Sequence, residues 1–170
     1  MGTAPDVTPE YYQILVVREL RKIGLDVGEP RVQRRSELSE PQRGFVLELL
    51  VSLSRSGWHK RALLACHRQD DPVMQEIVAG LPSRVAAAKA EVGVVVATAE
   101  FDPGAVAAAQ QAGIVLLQVV DGRKAYDLSG WGTPGHYPAW LPAHALQLVE
   151  RDSGGAVHLR PLEARVFEGD

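Results

Sequence analysis

Two apolar runs, Gly93-Val-Val-Val-Ala-Thr98 and Gly113-Ile-Val-Leu-Leu-Gln-Val-Val120, flank an alanine-rich stretch from Pro103 to Ala112. Neither run alternates apolar with polar residues, which is the pattern of strands covered on both faces. The stretch between them reads as a helix opened by Pro103. A helix joining two such strands makes them a parallel pair with a crossover. This commits the chain to an α/β architecture. With 170 residues, 46% of them hydrophobic, it can bury one good core, so one domain with an appended subregion is the economical division.

The rest of the chain extends this frame on both sides. From Tyr12 to Gly24, Tyr12, Leu15, Val16, Glu19, Leu20 and Ile23 recur at steps of three and four, which predicts a helix with one mostly apolar face. Phe45-Val-Leu-Glu-Leu-Leu-Val51 and Ala62 to Cys66 are apolar runs separated by the turn residues Arg55-Ser-Gly57, a predicted hairpin. Asp70-Asp71-Pro72 is read as a helix start, with a helical stretch to about Glu91 that Pro82 kinks or divides. Residues 28 to 43 read equally as a solvated Arg-rich loop or as a phosphate-contacting segment. Gly130 to Pro142 is a Gly/Pro loop carrying Trp131, Tyr137 and Trp140, expected first to cap the core, next to form an oligomer contact, and last to stack on bases. Strands at Ala145 to Arg151 and Ala156 to Val166, joined by Asp152-Ser-Gly-Gly155, complete a C-terminal hairpin. The expected division is a tail over 1–9, a core over 10–128 and an extension over 129–170.

Charge is uneven along the chain. Residues 1 to 68 carry 11 Lys and Arg against 8 Asp and Glu, net +3, while residues 69 to 170 carry 7 against 13, net −6. The basic excess gathers at Arg31, Arg34, Arg35 and Arg43, then at Arg55, Lys60, Arg61 and Arg68. An acidic whole without a strong basic stripe argues against tight general DNA binding. Cys66, the single cysteine, excludes an intrachain disulfide, and no apolar run of membrane-spanning length appears. A cytoplasmic protein is the expectation.

The order helix, hairpin, helix, strand, helix, strand from residue 10 to about 120 resembles the PD-(D/E)xK nuclease fold, a restriction-endonuclease-like mixed sheet flanked by helices. Within it, the chain resembles the Mrr-type restriction endonuclease and archaeal Holliday-junction resolvase branch. The resemblance is carried by the opening helix, by Ala62 to Arg68, and by the run from Gly93 to Leu117 with its strand, aromatic Phe101, helix cap, alanine-rich helix and last strand. It covers roughly two thirds of the chain. The aromatic loop and terminal hairpin lie beyond it.

Such nucleases hold a divalent ion, usually Mg²⁺, with hard oxygen ligands and place a cation near the attacking water. The resemblance implies an acid at Glu48, a second acid at the position of Ala65, a lysine at the position of His67 and a helix acid at the position of Gln13. Glu48 alone retains a carboxylate, so the catalytic set is a remnant: Glu48, His67 and Gln13, with Ala65. A single carboxylate holds Mg²⁺ weakly, because that ion dehydrates reluctantly. Cys66 and His67 point to opposite faces of a strand and do not converge on one ion. His59, His136, His144 and His158 lack the spacing of a metal site.

Three readings follow. The leading one is a catalytically degenerate relative that binds DNA, or a DNA-processing or defence partner, without cutting, with Arg34, Arg35, Arg55, Lys60 and Arg68 as DNA-binding residues and no metal or other cofactor. The second is an active endonuclease using Mg²⁺ or Mn²⁺ through migrated ligands such as Asp70 or Asp71. The third is a protein-interaction scaffold without nucleic acid. The expected partners are DNA, a second copy of the chain in a homodimer, or another protein, and not a membrane.

Overall fold

A computed structural model describes residues 7–37, 44–130, 132–133 and 135–168. Arg43 and Trp131, singled out in the sequence, lie outside the described residues. The chain opens with α1 (Pro9–Lys22), whose N-cap Thr8 accepts a hydrogen bond from the Tyr11 amide at 3.1 Å. Short strand β1 (Asp26–Val27) and β2 (Arg31–Glu37) then pair one after the other with the outer edge of β3 (Phe45–Arg55). The predicted hairpin is β3 with β4 (Trp58–Arg68), turned at Gly57 with φ +92°. Its strands run further than their apolar stretches, because full antiparallel pairing carries the polar ends along.

Next come α2 (Gln75–Ala79), α3 (Leu81–Ala87), β5 (Val92–Ala97), α4 (Pro103–Ala112), β6 (Val115–Asp121), α5 (Gly122–Ser129), β7 (His144–Arg151) and β8 (Val157–Pro161). A 3₁₀ turn at Ala164–Phe167 ends the described chain. The eight described strands form one sheet in the order β1/β2, β3, β4, β5, β6, β7, β8, with β4, β5 and β6 parallel and the other pairs antiparallel. The crossover through α4 is as predicted, capped by the Asp102 carboxylate on the Gly104 amide and ended at Gly113 with φ +70°. β7 continues the same sheet by pairing with β6.

Three expectations need correction. The helix expected at Asp70-Asp71-Pro72 begins only at Gln75, because Val73 is drawn into a β-bridge with Phe101 and exchanges backbone hydrogen bonds with Glu100 and Asp102. The expected division of that helical stretch is present, at Gly80 with Pro82 in the first turn of α3, but the strand expected from Ala156 to Val166 spans only Val157–Pro161, and Ala164–Phe167 turns as a 3₁₀ helix. Residues 31–37, within the segment read as a loop, are a strand with every residue exposed.

The sheet separates two apolar layers. Odd positions of β3 and even positions of β4 and β5 meet α1 and the 3₁₀ turn in a core that includes Tyr12, Leu15, Leu47, Leu64, Cys66 and Phe167. The alternate positions meet α2, α3 and α4 in a second core that includes Leu63, Ala65, Val95, Leu81 and Val106. Each fully buried leucine contributes about 2 kcal/mol of transfer free energy. No helix among the described residues is long and apolar enough to cross a membrane.

Glu19 ties the first helix to the penultimate strand. Its buried carboxylate accepts a hydrogen bond from the Leu146 amide at 3.0 Å, with Lys22 at 3.5 Å and Arg18 at 3.7 Å. Glu19→Ala strips a buried amide of its acceptor, and a loss of about 2 kcal/mol in urea unfolding is expected. A change below about 0.5 kcal/mol would show that water replaces the carboxylate without cost.

Candidate functional site

The sheet register places the site before any side chain is considered. Arg34 of β2, Glu48 of β3, Ala65 of β4 and Val95 of β5 stand in one row, and Ser36, Val46, His67 and Ala97 in the next. Positions two apart on a strand share a face, so Arg34, Glu48, Ala65 and His67 all face the α2/α3/α4 layer.

Glu48 is only 3% exposed. A buried carboxylate needs paired charge, and two guanidiniums supply it through the same oxygen. Arg34 Nη2 donates to Glu48 Oε2 at 3.0 Å, and Arg84 Nε donates to it at 2.7 Å. Arg84 comes from α3, held in place by a hydrogen bond from its Nη1 to the Gly80 carbonyl at 3.1 Å. Its role was not visible in the sequence; the one local signal is that it is the only cation between Arg68 and Lys89.

His67 is 4% exposed and so is no surface histidine. Neither ring nitrogen makes a close hydrogen bond among the described residues, although the Gln69 side chain interacts with the ring. Burial pushes its pKa down to about 4, aided by the positive charges of Arg84 and Arg34 and opposed by the Gln69 side chain. The ring is therefore neutral at pH 7. Its backbone carbonyl accepts the phenol of buried Tyr12 at 3.0 Å, which fixes the end of β4 against α1.

The other predicted site residues divide. Ala65 is fully buried where the resemblance implies an acid. Gln13 sits on α1, in the layer covering the opposite face of the sheet, and lines a groove with Glu10, Ile14, Val17 and Pro30. Cys66 is fully buried on that face too, and burial pushes its thiol well up. Arg68 lies at the site's end of the hairpin and pairs with Asp70 at 3.6 Å. Arg35 points to the opposite face from Arg34 and pairs with Glu10 at 3.6 Å. Arg55 pairs with Glu168 at 3.6 Å and Lys60 donates to the Glu168 carbonyl, both at the turn end of the hairpin. Strand rise puts that end roughly 20 Å from the site. The five basic residues thus do not share one surface. In the C-terminal loop, Tyr137 donates to Asp127 at 2.7 Å and packs on Tyr126, while Trp140 is 70% exposed.

A restriction endonuclease family model, Mrr_cat, matches residues 6–124. The chain belongs to this family. No curated protein and no solved structure matches it. The Mrr match runs from α1 through β6 and into α5, and leaves β7 and β8 outside it.

The divalent ion implied by the Mrr fold does not fit the residues present. Mg²⁺ needs oxygen donors in a near-octahedral arrangement, usually with one or two carboxylates facing it. Here Ala65 supplies no donor, and Glu48 is already bonded to two guanidiniums whose excess positive charge repels a cation. Asp70 is engaged with Arg68, and no group of three or more His, Cys, Asp or Glu among the described residues is placed to hold a metal. In this Mrr chain, two arginines engage the one carboxylate that the resemblance assigns to a metal ion.

Proposed function

We propose that this chain is a catalytically degenerate restriction-endonuclease-fold protein that binds DNA without cutting it. The observation that carries the reading is the double engagement of Glu48 by Arg34 and Arg84 beside Ala65. A carboxylate bonded to two guanidiniums is a poor ligand for a hard cation, and the pair adds positive charge to the face a phosphodiester would approach. Family membership supports the DNA partner, and the overall acidic charge makes the binding modest and salt-sensitive.

Plasmid DNA incubated with the protein and Mg²⁺ or Mn²⁺ is expected to show no cleavage above that of Glu48→Ala and Glu48→Gln controls. Metal-dependent cutting abolished by either substitution would instead establish an active endonuclease. A duplex gel shift is expected to weaken with salt, and Arg34→Ala should lower the salt slope by about 1 while Arg35→Ala, on the opposite face, leaves it unchanged. Absence of any shift at low salt would leave a protein-interaction scaffold.

A further inference from the structure

Two guanidiniums against one carboxylate leave the Arg34, Glu48, Arg84 cluster with an excess of positive charge. Glu48 uses Arg84 Nε and Arg34 Nη2, and Gly80 uses Arg84 Nη1. Among the described residues, the remaining N–H groups of both forks have no partner. Those side chains are 33% and 48% exposed, so the free edges reach solvent. In the adjacent row on the same face stands His67, 96% buried, its ring influenced by the Gln69 side chain but with neither nitrogen in a close hydrogen bond among the described residues.

Buried polar groups left without partners are rare in folded proteins, and a bound ligand is one of the few arrangements that accounts for them. A guanidinium fork matches two oxygens of a tetrahedral anion, and a neutral imidazole adds one N–H donor. Glu48 then acts as the buried strut that aims both forks. We propose that the altered active site is a receptor for one phosphate group, held between Arg34, Arg84 and His67. The proposal rests on the non-cutting reading, since a divalent ion on Glu48 would displace both arginines. It goes further by naming the group bound and the atoms that bind it.

The test uses the full chain, ¹⁵N-labelled, at pH 7. Inorganic phosphate is expected to move the His67 ring and Arg84 Nε resonances, whereas chloride at matched ionic strength does not. By calorimetry, Arg84→Gln and Arg34→Gln should each weaken phosphate binding by about tenfold, the size of effect expected for a charge-assisted fork. Preserved amide spectra away from the site establish that each variant is folded, and Arg34→Gln, at a half-exposed residue, serves if Arg84→Gln is not. Single-stranded oligonucleotides with a 5′-phosphate or a 5′-hydroxyl separate the sources. A preference for the former assigns a terminal phosphate, equal binding assigns the backbone, and a response to inorganic phosphate alone assigns a small anion. Unmoved His67 and Arg84 resonances, or glutamine variants that bind as tightly as the parent, overturn the proposal. Duplex gel shifts with unmoved site resonances would leave DNA binding standing and remove the phosphate receptor. Moved resonances without a gel shift would do the reverse.

Discussion

Acidification from pH 7 to pH 4 is expected to cost the fold on the order of 3 kcal/mol through His67 alone. The pKa of this ring is lowered from the ordinary imidazole range to about 4 in the folded chain. In the unfolded chain it protonates near pH 6.5, as any solvated imidazole does. Between about 6.5 and 4 the unfolded state therefore holds a proton that the folded state refuses, and folding stability falls with pH. The contribution is fully present above pH 6.5 and is lost as pH falls to about 4, with a slope approaching 1.4 kcal/mol per unit. The groups that act on the ring are Gln69 just past β4, Arg84 from α3 and Arg34 from β2, with Glu48 of β3 in the adjacent row on the same face. Because other carboxylates also titrate in this range, the diagnostic quantity is the difference between the parent and His67→Gln, measured by urea unfolding at each pH. Parallel stability curves for the two proteins would mean that water reaches the ring and that its burial carries no such penalty.

The second large effect concerns the carboxylate itself. Glu48→Ala leaves two guanidiniums around an empty buried position, and Arg84→Ala leaves the carboxylate with one partner. Removing one member of a buried ion pair costs about 3 to 5 kcal/mol when both are desolvated. Here the arginine side chains are 48% and 33% exposed and can turn to water, so about 2 kcal/mol per single substitution is the expectation. The double variant Glu48→Leu/Arg84→Leu replaces the pair by apolar groups against the layer containing Leu63 and Leu81. It should cost less than the two alanine variants together by at least about 1 kcal/mol, the size of coupling seen between contacting charges. Strict additivity in an alanine double-mutant cycle would remove Arg84 from the account of the site.

The frame was legible in the sequence where local signals and tertiary demand agree. The crossover from β5 through α4 to β6 has uninterrupted apolar strands because helices cover both their faces, and Pro103 and Gly113 bracket the helix between them. The β3/β4 hairpin was legible for the same reason, at its buried centre. At Asp70-Asp71-Pro72 the local capping signal lost to a non-local one, the bridge from Val73 to Phe101 nearly thirty residues away in the chain. β2 left no periodic trace because both of its faces are exposed, so nothing selected an alternation. α5 was missed although Asp121 and Gly130 mark its ends, because its eight residues make barely two turns, too few for a one-sided apolar pattern to stand out in a polar sequence. Of the site, Glu48, Ala65 and His67 were brought together through the resemblance and stand on one face of the sheet, and Arg34 was singled out for its charge. The partnership with Arg84, 36 residues beyond Glu48, depends on how α3 folds back over the sheet. Gln13 was tied to the others through the resemblance, and the structure places it in the layer covering the opposite face.

The strand Arg31–Glu37 borders the sheet, with β3 as its described neighbour and every residue exposed. A margin of this kind invites a second chain to zip onto it. Here Arg34 and Arg35 occupy its middle, so two copies aligned head to tail about that centre would set arginine against arginine. Like charges directly opposite oppose such pairing. The same cation that steadies Glu48 on one strand therefore also guards the border of the molecule against its own copies in a crowded solution.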